Sequence, residues 1–159
     1  MMNARFILND LPLPSPYKVI DTKTETSKVF AFPSYKLDYL SEIFGFGRKI
    51  KVEFSLWENC LKGDDNALQQ MLDYNDQDVY LLEDLYLKLR PYMKSHPNLN
   101  LMSDKLDKPR CTRCMSDNLK EKGQYHTSVN TYVSYQCNSC GGYSRSRTAI
   151  KKDKTYLTK

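Results

Sequence analysis

Apolar residues recur at helical spacing through residues 63–91, GDDNALQQMLDYNDQDVYLLEDLYLKLRP. Leu68, Met71, Leu72, Val79, Leu82, Leu85, Tyr86 and Leu89 fall on one side of a 3.6-residue repeat. Asp64 and Asp65 can cap its start, because a short carboxylate accepts from the unpaired N–H groups of a first turn. The spacing predicts one long helix reaching about Met93, roughly 45 Å at 1.5 Å per residue. Shorter pieces precede it. Lys36–Phe44 reads as an amphipathic helix with Leu37, Leu40, Ile43 and Phe44 on one face and Gly45 and Gly47 at its end. Phe54–Leu61, around the single Trp57, reads as another helix. Tyr17–Ile20 reads as a short apolar strand after the proline-rich LPLPSP, and Phe30–Phe32 as a second extended piece.

The pattern changes after Pro91. SHPNLNLMSDKLDKPR is polar, holds two prolines and has no period, as a linker does. Beyond it Tyr125, Val129, Tyr132, Val133 and Tyr135 give a β-prone stretch suited to hairpin arms. The expected organisation is therefore residues 1–95, a linker over 96–108, and a small β-rich module over 109–159 with a basic tail. No apolar run approaches the roughly 18 residues that span a bilayer, and no signal-peptide core opens the chain. A cytoplasmic location away from membranes is the expectation.

Charge follows the same division. From Lys105 onward there are 12 Lys or Arg against 4 Asp or Glu, about +8; the first 104 residues hold 12 against 15, about −3, which together make the net +5. Such asymmetry points the C-terminal part towards a polyanion, with a solvated basic tail as the plain alternative.

Four of the five cysteines fall into two pairs, Cys111-x-x-Cys114 and Cys137-x-x-Cys140, separated by 22 residues. Two such turns supply the four thiolates of a tetrahedral structural zinc site. Gly141 and Gly142 give the small residues needed after the last ligand. Two disulfides are the alternative, and the odd fifth cysteine in an intracellular chain argues against them. A module of about 50 residues with few aliphatic side chains needs such a metal in order to fold. Cys60 reads as a small buried apolar residue. Arg110, Arg113, Arg145 and Arg147 flank the cysteine pairs, and Tyr125, Tyr132, Tyr135 and Tyr143 are interleaved. Guanidinium groups meet phosphates and tyrosine rings meet bases, so nucleic acid, in particular single-stranded DNA, is the expected partner. Tyrosines that merely pack the module are the alternative.

Tyr74 and Asp78, four residues apart, share one face of the long helix. Together with Y-N-x-x-D-V, the following L-Y-x-x-L-R-P, the preceding Gly63-Asp64, N-x-R at Asn3 and Arg5, L-P-x-P-S-P-Y-K-V-I-D-T from Leu11, K-L-D-Y-L from Lys36 and Trp57, the pair resembles the last motif and downstream half of a DEDD-type (YxxxD) 3′–5′ exonuclease domain of the ribonuclease H-like superfamily. The resemblance spans about residues 3–93. It implies an α/β fold, here a partial ribonuclease H-like fold with its first strands missing, followed by a small β-rich zinc ribbon. It also implies catalysis with two Mg²⁺ or Mn²⁺ ions, with Asp78 as a ligand and Tyr74 orienting the attacking water.

The family's Asp-x-Glu strand and second aspartate motif have no match here, and one carboxylate cannot hold two divalent ions. Activity is therefore expected only with an upstream, separately encoded half. The alternative is a non-catalytic zinc-ribbon binding protein on a nuclease remnant. Without its opening strands, one face of the long helix is expected to remain uncovered. Asp21 is a weak candidate ligand with a structural role in the family pattern. Asp10, Asp38 and Asp76 are expected at the surface or in caps, and His96 and His126 in solvent.

Overall fold

The computed structural model describes residues 2–103 and 108–152. Five α-helices come first: α1 (Met2–Leu8), α2 (Thr22–Ser27), α3 (Leu37–Ile43), α4 (Phe54–Leu61) and α5 (Asp65–Leu89). A 3₁₀ turn (Leu99–Met102) leads to four strands: β1 (Leu119–His126), β2 (Asn130–Cys137), β3 (Tyr143–Arg145) and β4 (Lys151–Lys152). All described strands lie within 119–152 and pair antiparallel, with β2 central between β1 on one side and β3 and β4 on the other. The chain is thus a helical body followed by a small antiparallel sheet, and the four paired cysteines cluster in the latter. The tail lysine Lys154 and everything after Lys152 lie outside the described residues. No described helix is long and apolar enough to cross a membrane.

The long helix starts as its sequence predicts. Asp64 accepts from the Ala67 backbone N–H at 2.9 Å. It stops at Leu89, short of the expected Met93, because Pro91 has no N–H and its ring opposes the carbonyl four residues back. Leu81, Leu85 and Leu89, spaced by four, form its buried stripe. Leu85 and Leu89 join Leu40 and Met93 in the core, with Ile20, Phe30, Phe32, Leu37, Phe44 and Tyr86 packed around them. Phe30 stacks on Phe32 with centroids 5.4 Å apart and meets Tyr92 edge-on at 5.2 Å.

Three expectations from periodicity change here. Tyr17–Ile20 forms no strand, since an extended segment needs a ladder partner and none lies beside it; Ile20 instead packs its side chain on the core. Phe30–Phe32 is likewise unpaired and contributes rings. In α3, Leu40 is fully buried, yet Ile43 is exposed, because three residues on it has rotated past the edge of the buried face.

The other apolar stripe of α5 is only about half covered by the described residues. Leu68, Leu72, Val79 and Leu82 lie on one side, about a quarter-turn from the buried stripe, and Leu72 and Val79 remain 52% and 62% exposed.

Candidate metal centre and the Tyr74–Asp78 pair

Both cysteine pairs sit in turns of the same shape. In the first, the Met115 N–H returns to the Cys111 carbonyl at 2.9 Å and the Arg113 N–H points at Cys111 Sγ at 3.5 Å. In the second, the Gly141 N–H returns to the Cys137 carbonyl at 2.8 Å and the Gly142 N–H points at Cys140 Sγ at 3.4 Å. The residue after each second cysteine takes a left-handed backbone, Met115 at φ 62° and Gly141 at φ 76°. That conformation is free for glycine and strained for methionine. The first turn leads into β1, and the second starts at the end of β2, where Leu119 pairs with Cys137, so the hairpin brings the two turns together.

The four sulfur atoms lie within 4.8 Å of one another, with Cys111 to Cys140 at 3.7 Å and Cys114 to Cys137 at 3.6 Å. No disulfide joins them. Four thiolates around one ion with bonds of about 2.3 Å would stand roughly 3.8 Å apart, so the cluster fits a tetrahedral metal and is compatible with Zn²⁺. Burial pushes the Cys114 thiol up to about 12 and also raises Cys140. At Cys137 burial pulls in the same direction, but backbone N–H groups of Cys140 and Ser139 outweigh it and bring the thiol down to about 7. A divalent ion bound by the four sulfurs would displace thiol protons.

Residues flanking the cysteines have separate fates. Arg113 turns towards the helical body: its Nη1 donates to the Arg90 carbonyl at 2.9 Å and also to the Pro91 carbonyl, at the C-terminal end of α5. A cation there also complements the helix dipole. Its stem passes over Gly142, where a Cβ would sit 3.0 Å from Arg113 Cδ and 3.3 Å from Cys140 Sγ. The segment expected as a linker takes part in the same junction. The Leu99 N–H donates to the Thr112 carbonyl at 2.8 Å and Asn100 Nδ2 to the Arg110 carbonyl at 2.9 Å. Arg145 lies over the rings of Tyr132, at 4.2 Å, and Tyr125, at 5.3 Å. Tyr143 and Arg147 are exposed.

On α5, the Tyr74 hydroxyl and the Asp78 carboxylate meet at one cation. Lys49 Nζ is 2.7 Å from Asp78 Oδ2 and 3.3 Å from the Tyr74 hydroxyl, and lies 5.4 Å from the Tyr74 ring centre. The backbone N–H of Lys49 is fixed by Asp38 Oδ1 at 2.9 Å, and Trp57 packs edge-on to Tyr74 at 6.3 Å. The other Asp78 oxygen is buried without a hydrogen-bond partner among the described residues. The Asp78 bond raises the Lys49 pKa and holds the ammonium charged. An open groove of about 490 Å³ between the starts of α4 and α5 has Gln70 and Asp73 in its wall, and its lining does not include Tyr74 or Asp78.

The weaker candidates resolve into local roles. Asp21 caps α2, accepting from the Lys23 and Thr24 N–H groups and the Thr24 hydroxyl, the last holding its carboxyl below the ordinary range. Asp38 orients Lys49, and Asp76 is exposed. His126 is exposed and shares a hydrogen bond with Thr131. His96 departs from expectation: it is half-buried, stacked on Tyr86 with centroids 5.8 Å apart, accepts from the Tyr86 hydroxyl at 2.8 Å and donates from Nδ1 to the Pro97 carbonyl at 2.7 Å. Cys60 is half-buried.

Lys49 was not legible as a partner of Asp78, since 29 positions separate them and no local spacing links them. Comparison of the chain with protein-family models, curated proteins and solved structures finds no match.

Proposed function

We propose that this chain is the nucleic-acid-binding C-terminal portion of a metal-dependent 3′–5′ exonuclease, with a structural Zn²⁺ held by Cys111, Cys114, Cys137 and Cys140. The observation that carries the nuclease half of this reading is the convergence of the Tyr74 hydroxyl and the Asp78 carboxylate on one cationic point. A divalent ion at such a point would lower the pKa of a bound water and stabilise the leaving oxygen. Asp78 would then be a ligand and Tyr74 would orient the water. Three further carboxylates must come from polypeptide outside these 159 residues. The half-exposed Leu68–Leu72–Val79–Leu82 stripe supports a missing half that packs against α5.

A second reading is a non-catalytic zinc-ribbon protein that binds nucleic acid. The Lys49–Asp78 ion pair favours it, because the carboxylate already has a cation and needs no metal.

The test is nucleotide release from a 5′-labelled single strand in Mg²⁺ or Mn²⁺, by the zinc-loaded chain alone and with an added polypeptide carrying an Asp-x-Glu strand encoded just upstream. Release only in the mixture, abolished by Asp78→Ala, supports the exonuclease. Strand retention with no release in any mixture supports the second reading.

A further inference from the structure

We propose that one face of the sheet, carrying Lys120, Tyr125, Tyr132, Tyr143 and Arg145, is a stacking platform for the unpaired bases of single-stranded nucleic acid. This rests on the nucleic-acid reading above and specifies its surface, its residues and its mode.

The register assigns the face. Tyr125 stands opposite Tyr132 across β1 and β2, Ser134 opposite Arg145, and Gln136 opposite both Tyr143 and Lys120. Directly opposed residues point to the same side of a sheet, and residues two apart along a strand do so as well. Tyr132, Ser134 and Gln136 thus share one side of β2, and Lys120, Tyr125, Tyr143 and Arg145 join them. The guanidinium of Arg145 over both tyrosine rings independently places those three on one side. Glu121 pairs with Tyr135 and so points to the other side, leaving no carboxylate among the ladder residues of this face.

An irregularity in β1 makes this possible. Lys120 and Tyr125 are five positions apart, an odd separation that regular alternation would send to opposite sides. Between Glu121 and Gln124 the register slips, with Gly123 in a left-handed conformation at φ 79°, and the extra residue restores both to one face.

What the face offers is aromatic and cationic surface open to solvent. Tyr125 and Tyr143 are 50% and 55% exposed. The Arg145 guanidinium lies over Tyr132 on an exposed residue, and bases stack on arginine planes as they do on aromatic rings. Small sheets that present aromatic rings in this way stack two or three bases of a single strand. A duplex keeps its bases stacked on each other and offers such rings nothing. Phosphates between the bases find Lys120 and Arg145 beside the rings, within a segment that carries about +8 from Lys105 onward. Arg113 takes no part, because its donors face the end of α5.

The experiment measures binding of the zinc-loaded full chain to a fluorescently labelled oligothymidine and to a duplex of equal length, over a range of salt. Tyr143→Leu and Tyr125→Leu keep apolar bulk and remove the ring; each is expected to weaken single-strand binding about tenfold. The slope of affinity against salt should stay unchanged, since no charge is lost. Tyr143→Phe and Tyr125→Phe should bind like the parent, which separates stacking from a general loss of structure, and zinc content checks the fold of each variant. If the leucine variants bind as the parent does, while the parent binds with a steep salt slope, the platform is wrong and binding is a matter of charge alone. Tighter binding to the duplex also overturns it. A parent chain that binds neither strand at low salt overturns the nucleic-acid reading itself.

Discussion

Arg113 Nη1 donates to the Arg90 carbonyl at 2.9 Å, reaching over Gly142 from between two of the clustered cysteines to the end of the longest helix. This contact joins the cysteine module to the helical body. It also explains why the residue under the arginine stem has no side chain.

Gly142→Ala should therefore disturb the junction. A methyl group 3.0 Å from Arg113 Cδ and 3.3 Å from Cys140 Sγ forces one of them to move. The expected loss is about 1–3 kcal/mol, the range for overpacking a filled site, read as a lower urea midpoint of the zinc-loaded chain. Arg113→Ala should also lower the midpoint but leave single-strand affinity unchanged. A large affinity loss with an intact midpoint would return Arg113 to the binding surface.

Metal removal should act on the module first. Binding to four thiolates is apparently worth about 10–16 kcal/mol in small zinc modules, and that is folding energy. With chelator, amide exchange should accelerate across β1, β2 and β3. It should also accelerate at Met93, whose N–H donates to the same Arg90 carbonyl that Arg113 holds. Unchanged protection in β2 after chelation would mean that the sheet stands without the ion.

The pH dependence has two separate windows. Burial, helped by the charges of Arg113, Arg90 and Lys18, lowers the His96 pKa below the ordinary 6.5. The unfolded chain then takes up the proton more readily, so this contribution is complete above about pH 6.5 and is lost as pH falls below it. Glu25 is held down at about 2 by bonds from Lys28 and Ser95, so its contribution is present above its ordinary 4.5 and is lost as pH falls towards 2. His96→Phe, which can keep the stack on Tyr86, should flatten the stability profile just below about pH 6.5 and leave the more acid limb in place. Urea midpoints at matched pH values measure this, and parallel profiles for parent and variant would contradict it.

Lys49→Met should strand the Asp78 carboxylate, whose other oxygen already has no partner among the described residues. A cost of about 1–3 kcal/mol is expected for leaving such a group unpaired. Adding Asp78→Asn should recover part of it, because the charge that needed a partner is gone. A Lys49→Met chain as stable as the parent would show that solvent already serves Asp78.

Much of the helical body was legible. The Phe54–Leu61 helix, the Asp64 cap and the start of α5 follow from spacing and capping chemistry, which act within a few residues. The strand at Tyr17–Ile20 failed because an apolar run says only that a segment is buried, whereas a strand exists only with a neighbour. His96 was misread for a related reason: its partner Tyr86 lies ten positions away on a helix, beyond the reach of any local pattern.

The amino-acid sequence alone determined the two paired-cysteine turns, the long helix and the nearness of Tyr74 to Asp78, since each depends on fixed spacing along one turn or one helix. Tertiary structure decided the rest. It set Lys49 against Asp78, turned Arg113 away from solvent to cap α5, and used one extra residue in β1 to bring Lys120, Tyr125 and Arg145 to the same side of the sheet. Those outcomes depend on register and on contacts between distant segments, where a shift of one residue reverses the face, and periodicity within a single segment carries no information about its register against another.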